Sequence, residues 1–173
     1  MITEENKKHK LDLGCGQRKR QGTIGIDFNS NTQADIIHDL NQFPYPFEDN
    51  YFNEIYCRHV LEHLPDLIKV MEELHRIAAP GCKIFIEAPY WSSYRAFVDP
   101  THVRFFTEKT FDYFTPESKM NFYSKARFRV LSKKLELSSR KLVRILGLFL
   151  PITFFKLFNN LISNVYFVLE VIK

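Results

Sequence analysis

Short apolar runs and amphipathic stretches alternate along the first two-thirds of the chain. The apolar runs predict strands over residues 10–13, 23–27, 35–38, 54–57 and 83–88. Before the last of these strands, apolar residues at helical spacing predict a helix over 67–78, which Pro80 and Gly81 bring to an end. Strands that alternate with a helical segment are typical of an α/β domain with a parallel sheet.

The last third continues this pattern less regularly. It predicts a long loop, a short helix and two further strands, over residues 90–106, 107–114, 128–137 and 165–172 respectively. Between those two strands, residues 139–161 are apolar with helical spacing, and Pro151 breaks the predicted helix into two pieces. A chain of 173 residues is long enough to form one domain with its own core.

The connection between the first two predicted strands is unusually short. Only residues 17–22 separate them. A crossover between parallel strands normally takes a dozen residues or more and contains a helix. We therefore predict a loop or a single turn at this point.

Glycines and acids follow the ends of the first three predicted strands. Gly14 and Gly16 come directly after the first strand, where glycine allows positive φ angles and a close approach of backbone to ligand. Asp27 ends the second strand, at a position that commonly binds ribose hydroxyls. Asp39 ends the third, where a carboxylate can accept a hydrogen bond from an exocyclic amine such as that of adenine. This spacing suits an adenosine.

Other ligands fit these residues less well. No third glycine stands at the required place after Gly16, and the short connection leaves no room for the helix that binds a pyrophosphate, so a nicotinamide dinucleotide is disfavoured. A Walker-A phosphate loop is absent. Cys15, Cys57 and Cys82 show no metal-ligand spacing, so we predict reduced thiols and no metal site.

Six segments, in order, carry a resemblance to a known family: LDLGCG, IGID, DIIHDL, PYPFEDNYFNEIYCRHVLEHLPD, ELHRIAAPG and KIFIEAPY. Over residues 10–115 the chain resembles the class I S-adenosylmethionine-dependent methyltransferases, in particular the small type called methyltransferase domain 11. The resemblance implies S-adenosylmethionine as the cofactor. It also implies an α/β fold with a Rossmann-like seven-stranded, mostly parallel sheet, flanked by helices and closed by an antiparallel hairpin.

The resemblance implies a residue set for each part of the cofactor. Asp12, Gly14, Cys15 and Gly16 would wrap the methionine end. Asp27 would bind the ribose, Phe28 would flank the adenine, and Asp39 and Leu40 would contact the adenine. Cys57, Arg58 and His59 would lie beside the sulfonium. The first motif departs from the family in two ways: Arg18 replaces a third small residue, and the helix after the first strand is missing.

A loop after the fifth predicted strand combines a carboxylate, an imidazole and a guanidinium, in Asp99, His102 and Arg104. Functional residues favour loops that a rigid scaffold positions. Because an imidazole has a pKa near neutrality, His102 is the candidate catalytic residue, taking a proton from an acceptor hydroxyl or amine. The alternative is that His102 and Arg104 only hold the loop. Methyl transfer needs no dedicated base where the nucleophile is aligned with the sulfonium.

Charge is distributed unevenly along the chain. We predict a single domain with a flexible N-terminus over 1–9, a cofactor-binding core over 10–115 and a basic part over 116–173 that completes the sheet. Residues 1–117 hold 13 Lys/Arg against 18 Asp/Glu, a net charge of −5, whereas residues 118–173 hold 11 against 2, a net charge of +9. The basic third could face an anionic substrate, a nucleic acid, a membrane surface or solvent.

The methyl acceptor stays open between three hypotheses. The first is transfer to an oxygen or nitrogen of a small-molecule, glycan-linked or lipid-linked acceptor. The second is RNA methylation, because Phe122, Tyr123 and Phe128 lie among basic residues as stacking platforms would, although the nucleic-acid motifs usual after the fourth strand are missing. The third is a non-catalytic cofactor-binding or scaffold protein, against which the two strand-end acids argue.

Residues 140–161 are the most unusual stretch, because an uncharged apolar run is flanked by Arg140, Lys141, Arg144 and Lys156. This stretch could form a lid over a hydrophobic acceptor, lie on a membrane surface, or pack against the sheet or a second copy of the chain in a homodimer. The polar N-terminus predicts no signal peptide, and no uncharged apolar stretch is long enough to span a membrane. We therefore predict a cytoplasmic protein.

Overall fold

The computed structural model describes residues 9–173, apart from the side chain of Leu142. The strands are β1 (Lys10–Leu13), β2 (Ile24–Asp27), β3 (Ile36–Ile37), β4 (Phe52–Arg58), β5 (Ala78–Pro89), β6 (Arg127–Leu137) and β7 (Ile162–Ile172). The helices are α1 (Leu67–Ile77), α2 (Arg95–Val98), α3 (Lys141–Leu146) and α4 (Ile152–Phe155), with 3₁₀ turns at Leu61–His63 and Thr110–Phe114. The predicted flexible N-terminus lies outside the described residues, except for His9.

The seven strands form one sheet in the order β3-β2-β1-β4-β5-β7-β6. The first five strands pair in parallel, and β7 runs antiparallel to both β5 and β6. The predicted fold class, a mostly parallel seven-stranded sheet closed by an antiparallel hairpin, is therefore confirmed. Parallel neighbours bring the carboxyl ends of β1, β2, β3 and β4 to one edge of the sheet, where a ligand can contact several of them.

The short connection between β1 and β2 is a loop without a helix, as predicted. The two strands pair with Leu11 opposite Ile24. Side chains take over the bracing that a crossover helix would give: the carboxylate of Asp12 accepts a hydrogen bond from the main-chain N–H of Arg20 at 2.6 Å. Lys19, in the same loop, forms an ion pair with Asp35 at 2.7 Å.

Helix α1 buries one side against the sheet. Asp66 caps its N-terminus by accepting a hydrogen bond from the main-chain N–H of Lys69 at 3.0 Å. Its apolar residues at helical spacing are fully buried, and they are Val70, Met71, Leu74 and Ile77. The apolar face of the sheet that they cover comes from alternate residues of the strands, which is why the strand pattern was visible in the sequence.

The opposite face of the sheet carries a row of alternating charges. Across five neighbouring strands the register aligns Lys10, Glu54, Lys83, Glu170 and Arg129. Ion pairs join Lys10 to Glu54 at 2.9 Å and Arg129 to Glu170 at 2.6 Å. Cross-strand pairs of opposite charge stabilise a sheet, so this face is built to meet water.

Several predicted boundaries need correction in the C-terminal third. The predicted loop over 90–106 contains α2, and the predicted helix over 107–114 is a 3₁₀ turn that begins only at Thr110. The helical stretch over 139–161 reduces to α3 and α4, because the chain turns at 147–151 between them. Strand β5 begins at Ala78, directly after α1, and β7 begins at Ile162 rather than at 165. Among the described residues, no helix has the length and apolar character needed to cross a membrane.

Candidate functional site

A cleft of about 660 Å³ opens at the carboxyl ends of β1, β2, β3 and β4. Seven of the eleven residues predicted to bind a cofactor line it. They are Gly14, Gly16, Asp27, Phe28, Asp39, Leu40 and His59. The cleft is also lined by Asn41, Val60, His63, Leu64 and Thr101.

The two glycines of the first motif adopt conformations that other residues avoid. Gly14 has φ of 62°, and a Cβ built there would lie 2.4 Å from Cγ2 of Val60. Gly16 has φ of 54°, and its N–H donates to Oδ2 of Asp27 at 2.9 Å. Because both are left-handed, the loop can curl around the cleft and keep its main chain close to a ligand.

The two strand-end acids keep acceptor capacity toward the cleft. Asp27 is 8% exposed, and its oxygens accept N–H groups from Gly16 and, at 3.0 Å, from Asn29. A carboxylate oxygen has two lone pairs, so each still has one for a diol. Oδ1 of Asp39 accepts two hydrogen bonds from Asn41, and Oδ2 has no hydrogen-bond partner among the described residues.

The other four predicted residues do not line this cleft. Asp12 is buried under the β1–β2 loop, and Arg58 donates to the carbonyl of Arg18 at 3.1 Å. Cys15 and Cys57 are both buried, and burial raises the pKa of the Cys15 thiol to about 11. The cofactor contacts of these four residues stay predictions. Asp12 and Arg58 instead hold the loop after the glycines in place, through their hydrogen bonds to Arg20 and Arg18.

A second and larger cavity, of about 820 Å³, lies between the ends of β5, β6 and β7 and the segment that carries α2. Hydrogen bonds connect the side chains of its floor. Nδ2 of Asn164 donates to Oε2 of Glu136 at 2.8 Å, and the hydroxyl of Tyr166 donates to Oε1 of Glu87 at 3.0 Å. Burial raises the pKa of Tyr166 to about 12, and the hydrogen bond to Glu87 makes a smaller contribution in the same direction.

The floor has more acceptors than donors. Oδ1 of Asn164 is buried and has no hydrogen-bond partner among residues 9–173. The two carboxylates of Glu87 and Glu136 share the donors of Asn164 and Tyr166, and the hydroxyl of Ser163 donates to Oε2 of Glu136 as well. A buried acceptor without a donor costs free energy, so this floor favours a ligand that brings donors.

The rim of the second cavity has the opposite charge. Arg95, Arg140 and Arg144 line it, and none of them forms a side-chain ion pair with a described residue. Their guanidinium groups are therefore available to a carboxylate or phosphate at the cavity mouth.

His59 stands between the two cavities. It has φ of 50°, an uncommon conformation for a residue other than glycine. Its Nδ1 lies 3.1 Å from Oε1 of Glu62, and its Nε2 lies 3.3 Å from Oε1 of Glu87. The hydrogen bond to Glu62, opposed by burial and aided by the charges of Glu62 and Glu87, raises the pKa of His59. His59 itself lines the cleft, and Glu87 lines the second cavity.

The family model described as "Methyltransferase domain" matches residues 3–137, more than three-quarters of the chain. The chain belongs to this methyltransferase-domain family. The membership confirms the resemblance found in the sequence, and it implies S-adenosylmethionine as the cofactor.

Relatives of the domain agree with this membership. The tocopherol O-methyltransferase of Arabidopsis thaliana is 33% identical over a 109-residue alignment that covers 48% of this chain and 31% of that protein. The demethylmenaquinone methyltransferase of Oceanobacillus iheyensis is 29% identical over a 75-residue alignment that covers 35% of this chain and 31% of that protein. This chain therefore spans less than a third of the length of either relative.

The fold of the methyltransferase domain also matches solved structures. A SAM-dependent methyltransferase from Archaeoglobus fulgidus superposes with a TM-score of 0.63, covering 95% of this chain and 86% of that one at 18% identity. At this identity the likeness shows the fold alone.

The predicted catalytic residue, His102, lies beside the cofactor cleft rather than in its lining. Its ring packs edge-on against His63, with 4.7 Å between the ring centroids. His63 and Thr101 line the cleft. The main-chain N–H groups of Val103 and Arg104 donate to the carbonyl of Glu62 at 2.9 and 3.1 Å, so the loop is fastened to the turn that follows β4.

Sequence reasoning missed the floor of the second cavity. Asn164 and Tyr166 are alternate residues of β7, so both point to the same face of the sheet. Polar residues at that spacing within an apolar strand were the available signal. Their meeting with Glu87 depends on the pairing of β5 with β7, which no local pattern specifies.

Proposed function

We propose that this methyltransferase domain transfers the methyl group of S-adenosylmethionine to a hydroxyl or amine of an acceptor whose reacting part is small and polar. The observation that carries the proposal is that two cavities lie next to each other: His59 lines one of them, and its Nε2 lies 3.3 Å from Oε1 of Glu87, which lines the other. One has the strand-end glycines and acids that suit an adenosine, and the other has a floor of hydrogen-bond acceptors. Direct transfer then requires the reacting hydroxyl or amine of the acceptor to reach past His59 to the methyl carbon of the cofactor.

The cofactor would lie along the cleft edge of the sheet. Asp27 would accept from the ribose hydroxyls and Asp39 from the adenine amine, while the Gly14–Gly16 main chain faces the methionine end. The sulfonium is already a good electrophile. The protein's main task is therefore to align acceptor, methyl carbon and sulfur, and no dedicated base is required.

The acceptor class follows from the second cavity. Glu87, Glu136 and the free Oδ1 of Asn164 would accept hydrogen bonds from several hydroxyl or amine groups. The arginine rim would bind an anionic group of the same molecule. The relatives named for tocopherol and demethylmenaquinone support a small-molecule acceptor. RNA is less favoured, because Phe128, one of three predicted stacking residues, is fully buried.

Calorimetric titration of S-adenosylmethionine and S-adenosylhomocysteine tests the cofactor. We expect micromolar binding that Asp27→Ala weakens by roughly 1–3 kcal/mol, the cost of leaving a buried polar group unpaired. Asp112→Ala, which removes an exposed carboxylate paired with Lys133 outside the cleft, serves as the control and should bind like wild type. No binding of either ligand by the folded wild-type chain would refute the proposed function.

The acceptor would be presented at an anionic bilayer. Around α3 and α4 an apolar-basic surface exposes large apolar side chains next to cations, namely Ile145, Leu148, Phe149, Leu157 and Phe158 with Arg140, Lys141 and Arg144. Apolar groups of this kind enter the headgroup region, and basic groups bind anionic lipid. Because Arg140 and Arg144 also line the second cavity, a lipid-linked acceptor could reach it from the bilayer surface.

Vesicle sedimentation tests this surface. The chain should bind vesicles that contain phosphatidylglycerol and not pure phosphatidylcholine, and Phe149→Asp should abolish the binding. Phe122→Asp is a matched control, because Phe122 is 81% exposed and Phe149 80%, on different segments. Equal loss in both variants, or a dimer in solution that Phe149→Asp dissociates, would contradict membrane binding.

A further inference from the structure

We propose that Glu62, His63 and His102 bind a divalent transition-metal ion, of the Zn²⁺ class, in the wall of the cofactor cleft. A potential ligand atom of each of these three residues lies within 4.8 Å of those of the other two. Glu62 and His63 come from the 3₁₀ turn after β4, and His102 comes from the loop after α2. The hydrogen bonds that fasten this loop to the turn hold the three side chains together.

The hydrogen bonds of the two imidazoles assign their tautomers. Nδ1 of His102 lies 3.1 Å from the carbonyl oxygen of Ala96, which can only accept, so this nitrogen is the donor. In the neutral ring, Nε2 then carries the lone pair.

The same reasoning applies to His63 through one further hydrogen bond. Nδ1 of His63 lies 2.8 Å from Oγ1 of Thr101, whose own proton is directed to Oδ1 of Asp99 at 2.6 Å. Since that hydroxyl proton is used, Nδ1 of His63 must donate, and Nε2 again carries the lone pair. Metal-binding histidines characteristically donate their other N–H to an oxygen in this way.

Glu62 supplies the independent observation. Its side chain is 1% exposed, and Oε2 is buried without a hydrogen-bond partner among the described residues. The other oxygen, Oε1, lies 3.1 Å from Nδ1 of His59. A buried carboxylate oxygen without a donor is costly, and a cation between it and two imidazole lone pairs would remove that cost.

The donor set selects the metal. Two imidazoles and one carboxylate suit Zn²⁺ and neighbouring transition metals, whereas Mg²⁺ and Ca²⁺ prefer oxygen ligands. Three protein ligands leave a coordination position open, which is the arrangement of catalytic rather than structural zinc sites. His63 lines the cleft, so a water molecule could complete the coordination from that side.

Titration of the full chain with ZnCl₂ in a calorimeter tests the site. We expect one Zn²⁺ per chain and no saturable Mg²⁺ binding. His63→Ala, His102→Ala and Glu62→Gln should each weaken Zn²⁺ binding about tenfold or more. His9→Ala is the matched control: Nδ1 of His9 also faces a main-chain carbonyl, that of Tyr51 at 3.3 Å, but His9 belongs to no ligand cluster among residues 9–173, so Zn²⁺ binding should not change.

S-adenosylmethionine binding measured on the same samples separates this inference from the proposed function. Wild-type protein that binds the cofactor but not Zn²⁺, or variants that bind Zn²⁺ as wild type does, would overturn the metal site alone. If a variant fails to fold, the visible absorption spectrum of Co²⁺ added to the wild-type chain tests the site instead. Intense visible bands of a four-coordinate ion support the site, and the weak bands of a hydrated six-coordinate ion overturn it.

Discussion

The two cavities of this domain are built in different ways. The cofactor cleft is lined by residues that follow the ends of four neighbouring strands, glycines and acids among them, all within the first 64 residues apart from Thr101. The second cavity is formed by side chains from three strands and two connecting segments between residues 87 and 166. A fixed ligand such as a cofactor can be met by a short motif, whereas an acceptor cavity depends on which distant side chains the fold brings together.

The largest effect that would test this difference comes from Gly14. Gly14→Ala places a side chain at φ of 62°, which costs about 1–2 kcal/mol by itself, and drives its Cβ against Val60. We expect cofactor affinity to fall about a hundredfold in calorimetry, together with a lower melting temperature. Gly22→Ala is the matched control, because Gly22 has φ of 76° and, its chain neighbours aside, no atom of the described residues lies within 4 Å of the position that a Cβ would take. It should therefore lose stability but keep cofactor affinity.

An intermediate effect is expected at the ion pair that braces the β1–β2 loop. The carboxylate of Asp35 accepts the N–H of buried Gly25 at 2.7 Å and pairs with Lys19. The Gly25 hydrogen bond, followed by that of Lys19, lowers the pKa of Asp35. Asp35→Ala should lower the free energy of unfolding by about 1 kcal/mol at pH 7, as measured by urea denaturation.

The pH dependence of that effect has a definite sign. A lowered carboxyl pKa stabilises the folded state above the ordinary pKa of about 4, and the contribution is lost as the pH falls through the lowered value. The difference in unfolding free energy between wild type and Asp35→Ala should therefore shrink as the pH falls below the ordinary carboxyl value of about 4. A difference that does not change with pH would show that the carboxylate charge is not its source.

The smallest effect is expected in the second cavity. Glu136 shares its donors with Glu87, so Glu136→Gln removes one of two like charges. The free energy of unfolding should therefore fall by no more than about 0.5 kcal/mol, or rise. Glu170→Gln is the matched control: it loses the ion pair with Arg129 and should lower stability by about 0.2–1 kcal/mol. Cofactor affinity should be unchanged in both. Reduced affinity in Glu136→Gln would mean that the two cavities are not independent.

Sequence reasoning succeeded where one strand carries its own signal. The ends of β1 and β2 place Gly14 and Asp27 at the cleft because each residue follows directly from its strand. The helix-free β1–β2 connection was visible as a lack of residues. These features depend on neighbours in sequence, so pattern and spacing were sufficient to predict them.

The remaining features depend on tertiary contacts. Glu87 and Tyr166 are 79 residues apart, and only the β5–β7 register brings them together. His102 likewise meets Glu62 through a loop of irregular backbone, so the absence of metal-ligand spacing in the sequence had no bearing on the cluster. Within residues 139–161 only α3 and α4 are helical, because Pro151 and the packing of short segments outweigh the helix propensity of the sequence.

The strand register also implies an order of assembly. Leu11 pairs with Ile24 and Ile26 with Ile36, so β1, β2 and β3 close loops of little more than ten residues. By contrast, β5 pairs with β7 through residues that are far apart in sequence, such as Phe85 and Val168. Since loop closure costs more entropy as separation grows, we expect the cofactor edge to gain protection in pulsed hydrogen exchange before β7 does. Earlier protection of β7 would contradict this order. During synthesis, the strands that form the cofactor cleft could thus pair before the second cavity has formed.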